Sequence, residues 1–190
     1  MSIIKIIDNV VSLEIFKLAQ EEFSKGIWGF NNANNSIDPN VSFGAKEYCD
    51  KVNKLLSEKR LNESNIIYNL WTSINSQIEI EKNYKNILKR INFNCGPPLY
   101  DQGIHQDDEV TFSKNITIVY FVHPQWDFLW GGELLIFDKS KENVTGGTFP
   151  IPNRAVVFPS YLPHRAVAVT RISPSMRISI AFQCQFDHKL

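Results

Sequence analysis

The spacing of apolar residues changes period near residue 84, and this change constrains the fold more than any other feature of the chain. Before it, apolar residues recur at helical spacing. "SLEIFKLAQEEF" (12–23) sets Leu13, Phe16, Leu18, Ala19 and Phe23 toward one face, with Ser12 as the N-cap. "GAKEYCDKVNKLLSE" (44–58) and "NESNIIYNLWTSINSQI" (62–78) read as two further amphipathic helices, separated from the first by an Asn-rich loop at 30–40. After residue 84 come short β-rich runs at 87–94, 116–122, 132–137, 154–159, 165–169 and 177–186, punctuated by Gly, Pro, Asn and Asp. Short strands at this spacing imply a sandwich or barrel. The expected fold class is therefore mainly β with N-terminal helices packed outside the β core.

A chain of 190 residues suits one domain with a sizeable core, so a single domain over 1–190 is expected, with 1–83 as helical support and 84–190 as the β core. Lys+Arg and Asp+Glu are equal at 20 each, which leaves no basic excess for a nucleic-acid backbone or an acidic membrane surface. The longest apolar runs, such as "ITIVYFV" (116–122), are too short to span a bilayer, and "MSIIKIIDNVV" lacks the pattern of a secretory signal. Cys49, Cys95 and Cys184 show no pairing pattern and read as free thiols in a reducing compartment, so the cytoplasm is expected.

The chemistry concentrates in "GIHQDDEVTF" (103–112). Alone, His105 and Asp107 read more readily as a solvated turn than as a ligand pair. If they lie on a strand, residues i and i+2 share a face and deliver an imidazole and a carboxylate to one point. A third ligand is on offer in "YLPHRAVAV" (161–169), where His164 stands at the mouth of another run. Two His and one carboxylate on one face of an octahedral ion leave three adjacent positions open, which suits Fe(II) oxygenases that bind a bidentate 2-oxo acid and O2. The far carboxylate of such an acid needs a fixed cation. Arg177, thirteen residues beyond His164, presents the planar fork that matches it, and Ser179 shares its face.

The order His-x-Asp, "WGGELLIF", "PHRAVAV", "RISIAF" resembles the 2-oxoglutarate/Fe(II)-dependent oxygenases, and within them the prolyl-4-hydroxylase-like branch, over about residues 84–186. The resemblance implies a double-stranded β-helix, or jelly-roll, with His105, Asp107 and His164 as iron ligands. It implies Arg177 at the 2-oxoglutarate carboxylate, helped by Ser179; Asn94, from its place on the strand beside the site, is a further polar contact to the oxo acid or the substrate. The implied cofactors are Fe(II), 2-oxoglutarate and O2. The implied reaction hydroxylates an unactivated C–H of a prolyl residue, an amino acid or another small metabolite, with release of succinate and CO2. Asp107 occupies the slot that halogenating relatives leave to Gly or Ala, so halogenation is not expected. Many relatives carry a Tyr where this chain has Phe121. Tyr120 is one residue out of register, which turns it to the other face, and Tyr100 is the other candidate tyrosine.

The remaining polar and aromatic residues carry simpler expectations. His123 reads as a surface or satisfied histidine, and Trp126 and Trp130 as packing for the turn around Gly131 and Gly132. Asn92 and Asn94 alternate beside the site, Asp108 and Glu109 read as loop residues, and Cys95 and Cys184 as small core residues. The rival reading is a non-oxidative cupin-like jelly-roll that binds a metal or a sugar; it has no use for Arg177. A small-molecule or peptidyl substrate is the expected partner, with no nucleic acid and no membrane.

Overall fold

The computed structural model describes residues 4–24, 30–32, 42–43, 65–79, 84–108 and 115–188. In chain order the elements are β1 (Lys5–Ile7), α1 (Leu13–Ser24), β2 (Phe30–Asn32), β3 (Ser42–Phe43), α2 (Asn65–Glu79), β4 (Tyr84–Gly96), β5 (Asn115–Phe121), a 3-10 turn (Phe128–Trp130), β6 (Leu134–Phe137), β7 (Val144–Thr148), β8 (Ala155–Pro159), β9 (His164–Ala166) and β10 (Arg177–His188). A major antiparallel sheet has the order β1-β8-β5-β10-β4, and a minor one the order β7-β6-β9. From β5 onward the chain alternates between them: β5 major, β6 and β7 minor, β8 major, β9 minor, β10 major. That winding is the double-stranded β-helix, and it leaves a space between the sheets.

Strand alternation divides the core in two. On the outer face of the major sheet, Ile91, Phe93, Ile116, Ile118, Tyr120, Ile180 and Phe182 are buried against the helices. α2 contributes Ile67, Leu70, Ile74 and Ile78, which fall at helical spacing. On the inner face, Val119, Phe121, Val156 and Phe158 pack against Leu134 and Ile136 of the minor sheet. α1 begins as predicted: the Ser12 hydroxyl accepts from Ile15 N–H at 3.3 Å. Its buried face is narrower than expected. Phe16, Ala19 and Phe23 are buried, but Leu13 and Leu18 are exposed. Leu18 lies about 200° around the helix from Phe16, away from the sheet.

Asn153, with φ of 59°, ties the N-terminal segment to the turn before β8. Its amide accepts from Val11 N–H at 3.2 Å and donates to Val11 O at 2.9 Å. Arg154 adds an ion pair to Asp8 at 2.6 Å. Four strands go beyond the predicted set: β1, β7 and the β2–β3 pair. β7 is "VTGGT", largely exposed and glycine-rich, and carries no periodic signal. The predicted helix at 44–58, most of the 30–40 loop, Cys49 and Glu109 lie outside the described residues. Cys95 and Cys184 are buried free thiols, as expected. Among the described residues no helix is long and apolar enough to cross a membrane.

Candidate active site

His164 opens β9, whose place is set by β6 through the pairing of His164 with Ile136. His105 belongs to no strand. It meets His164 in an isolated antiparallel bridge, His105 N–H to His164 O at 3.0 Å and His164 N–H to His105 O at 2.9 Å. The two imidazoles are thus brought together by their own backbones. Asp107 departs from the strand expectation. It lies in a bend past the bridge, where its N–H and that of Asp108 both donate to Ser160 O at 3.1 Å. "QGIHQDD" (102–108) makes one rung of pairing and then turns, so the bend, rather than strand alternation, aims the carboxylate.

One ligand atom from each of His105, Asp107 and His164 lies within 4.8 Å of the others. Asp107 Oδ2 is 3.6 Å from His164 Nε2, and Asp107 Oδ1 is 4.0 Å from His105 Nε2. His164 Nδ1 lies 2.9 Å from Leu162 O, and His105 Nδ1 lies 3.1 Å from Gly103 O. A carbonyl can only accept, so each Nδ1 carries the proton and each Nε2 turns its lone pair to the common point. Burial pushes the His164 imidazole below its ordinary pKa, and His105 adds to this while Asp107 opposes it. The neutral form that a metal requires is the favoured one.

Thr117, fully buried on β5, donates to Asp107 Oδ2 at 2.6 Å. The carboxylate accepts only, so the Thr117 proton is committed to it, and Ser160 Oγ, 3.0 Å away, donates in turn to Thr117. Sequence reasoning missed both residues. The available signal was a polar residue, Thr117, on the inner face of an otherwise apolar strand. Asp108 is held apart, its Oδ2 accepting from Asn115 at 2.5 Å.

Arg177 stands on the inner face of β10, 6% exposed. Its Nη1 donates to Ser179 Oγ at 3.3 Å, and its guanidinium lies 5.1 Å over the Phe121 ring. Burial lowers its pKa to about 10, and its Nε is buried with no hydrogen-bond partner. It forms no ion pair with a carboxylate among the described residues. The "WGG" turn makes room for it: Gly132 has φ of 73°, and a Cβ there would sit 3.0 Å from Trp126 Cζ2 and 3.3 Å from Arg177 Cδ. Trp126 donates from Nε1 to Gly131 O at 3.0 Å and meets Trp130 edge-on, so both pack the turn as expected and neither lines the cavity. His123 is the satisfied, buried histidine. Its Nε2 lies 2.5 Å from Pro150 O, its Nδ1 accepts from Ile178 N–H at 3.4 Å, and burial lowers its pKa to about 4.

One cavity of about 220 Å³ joins these groups. It is lined by His105, Asp107 and His164, by Arg177 and Ser179, and by Asn92 and Asn94 of β4. Asn94 is the register partner of Ser179. Tyr120 is on the opposite face, its hydroxyl donating to Asn153 Oδ1 at 3.3 Å, and Phe121 takes the inner place. Tyr100 lines a small adjoining pocket together with Arg177 and Asn94.

A jelly-roll that gathers two imidazoles and a carboxylate in one cavity with a buried arginine that pairs with no described carboxylate fits a class: non-haem metal-dependent oxygenases with an anionic co-substrate. The model of the 2OG-Fe(II) oxygenase superfamily matches residues 95–183, the stretch that carries all four residues. Over those residues, a little under half of the chain, the sequence matches that superfamily, and the match marks a 2-oxoglutarate-dependent dioxygenase with Fe(II), 2-oxoglutarate and O2 as its cofactors. No curated protein matches the chain in sequence. Solved structures share the fold. A prolyl hydroxylase from Trichoplax adhaerens, in complex with a hypoxia inducible factor peptide, is 20% identical, with 98% of this chain and 84% of that one covered and a TM-score of 0.62. A Pseudomonas putida prolyl-4-hydroxylase is 16% identical, with coverage of 96% and 92% and a TM-score of 0.59. HygX from Streptomyces hygroscopicus, with nickel and 2-oxoglutarate bound, is 8% identical, with coverage of 96% and 82% and a TM-score of 0.63.

Proposed function

We propose that the chain is an Fe(II)/2-oxoglutarate-dependent hydroxylase of an unactivated C–H, releasing succinate and CO2. In this reading residues 1–190 form one domain, and His105, Asp107 and His164 hold the iron. The observation that carries it is the shared cavity. A ligand triad with its lone pairs converged opens onto the same space as a buried guanidinium that pairs with no described carboxylate. Such a cation is costly unless a ligand carboxylate completes it, and a non-oxidative cupin-like protein has no role for it.

The bound iron supplies activation of O2 at the expense of the oxo acid; the rest is the work of the chain. Arg177 binds the distal carboxylate of 2-oxoglutarate with its fork. Ser179 orients the guanidinium, Phe121 covers its far side, and Asn94 offers an amide along the same wall. The carbonyls of Leu162 and Gly103 keep both imidazoles in the ligating tautomer, and Thr117 holds the carboxylate in place. The substrate classes are a prolyl residue, an amino acid or another small metabolite. The motif order and the prolyl hydroxylases among the similar structures support the first, and the other two stay open.

The test needs no substrate. Fe(II) and then 2-oxoglutarate are added anaerobically to the purified protein. The weak visible charge-transfer band of an oxo acid chelated to ferrous iron is expected, and its loss in His164→Ala. A folded protein that binds divalent metal yet gives no band would overturn the reading.

A further inference from the structure

The cavity has a second cationic end. Arg90 of β4 lines it, and the strand register says where. Arg90 pairs with Gln183 of β10, and Gln183 pairs with Thr117 of β5, so the three form one row across the inner face of the major sheet. Thr117 is the residue that holds Asp107. Arg90 therefore stands level with the ligand triad, two strand spacings or about 10 Å of backbone from Thr117. Arg177 is paired with Gly96, six residues further along β4 than Arg90, or about 20 Å along the strand. The two guanidiniums thus enter one cavity from different ends, with the triad beside the Arg90 row.

The composition of the wall adds to this. Among the described residues that line the cavity, Asp107 is the only carboxylate, and no Phe, Tyr or Trp is present. Asp108 is not in the lining and is bonded to Asn115. With Asp107 given to the metal and Arg177 to the oxo acid, the described lining at the Arg90 end offers a guanidinium and the Asn92 and Gln183 amides, groups that suit an anion. A prolyl residue inside a peptide brings a neutral ring and neutral amides, and among the described residues of the lining it would meet no aromatic side chain. A free acid brings a carboxylate that a guanidinium binds bidentately.

We propose that Arg90, with the Gln183 amide beside it, anchors a carboxylate of the primary substrate, so that the hydroxylated compound is a small free acid and not an internal residue of a peptide. This rests on the site reading above and deepens it.

The test uses protein loaded with Zn(II) and 2-oxoglutarate, and acetate as the probe, with acetamide as its neutral counterpart. The Arg90 Nε–H signal in a 15N spectrum, identified by its loss in Arg90→Lys, is followed during titration. The expected result is a saturable shift with acetate, none with acetamide, and no movement of the Arg177 signal. Read at the Gln183 side-chain amide, which every variant keeps, acetate should bind about ten- to a hundredfold more weakly to Arg90→Gln, and with intermediate affinity to Arg90→Lys, which keeps the charge but loses the fork. Absence of a saturable shift, an equal response to acetamide, or a shift that develops only as 2-oxoglutarate is displaced would overturn the proposal. Failure of Zn(II) or 2-oxoglutarate to bind before acetate is added is a separate result and counts against the site reading itself.

Discussion

Replacing Thr117 by Val tests how the carboxylate of the triad is held. The change keeps shape, volume and β-branching and removes one hydroxyl. Asp107 Oδ2 then loses a donor at 2.6 Å, and the buried Ser160 hydroxyl loses its acceptor at 3.0 Å. A hydrogen bond to a charged acceptor contributes about 1.5–3 kcal/mol. Asp107 is still aimed by its backbone N–H to Ser160 O, so the effect belongs to orientation of the ligand and not to its presence. Loss of an outer partner of this kind weakens metal binding by about 10- to 100-fold, or about 1.4–2.8 kcal/mol. The metal-free protein should lose about 1.5–3 kcal/mol of folding stability, because the bond to Asp107 is lost there too and the Ser160 hydroxyl is stranded. Anaerobic calorimetric titration with Mn(II) reads the first effect, and thermal unfolding of metal-free protein reads the second. Thr117→Ser restores the donor and should restore most of the affinity. An unchanged Mn(II) affinity in Thr117→Val, with the fold intact, would refute the role of this bond.

Three further outcomes are expected. Arg177→Met should leave metal binding nearly intact and weaken 2-oxoglutarate by at least about tenfold, since a charge-assisted fork is lost; an unchanged oxo-acid affinity in the charge-transfer titration would remove Arg177 from that role. Gly132→Ala should lower stability by about 1–3 kcal/mol and also weaken 2-oxoglutarate, because φ is 73° and the new Cβ would press on Trp126 and on Arg177 Cδ; denaturant unfolding and the same titration read both. His123 should make the protein acid-sensitive. The unfolded chain takes up a proton on this imidazole near pH 6.5, while the folded protein resists until about 4. The unfolded state therefore binds more protons in that window, and stability falls by up to about 3 kcal/mol as the pH drops through it. A His123→Gln protein with the same slope of stability between those pH values would show the effect to lie elsewhere.

The chemistry was largely legible in the linear chain because it depends on residue type and order. His105, Asp107, His164 and Arg177 were selected by what their side chains can ligate, and the switch of apolar period near residue 84 separated helices from strands. The even spacing of Ile116, Ile118 and Tyr120 likewise put Tyr120 on the helix side and Phe121 inside, because a strand permits no other alternation. What the sequence could not carry was anything decided by pairing between distant segments. β7 forms because β6 offers it an edge, not because "VTGGT" prefers to be a strand. His105 and Asp107 converge through a single bridge to His164 and a bend on Ser160, a geometry with no periodic signature. Thr117 becomes the support of Asp107, and Arg90 enters the cavity, only through the register that sets β4, β10 and β5 side by side. The residues determine which reactions are available, while the long-range ladder determines which of them face one another across the same few ångströms.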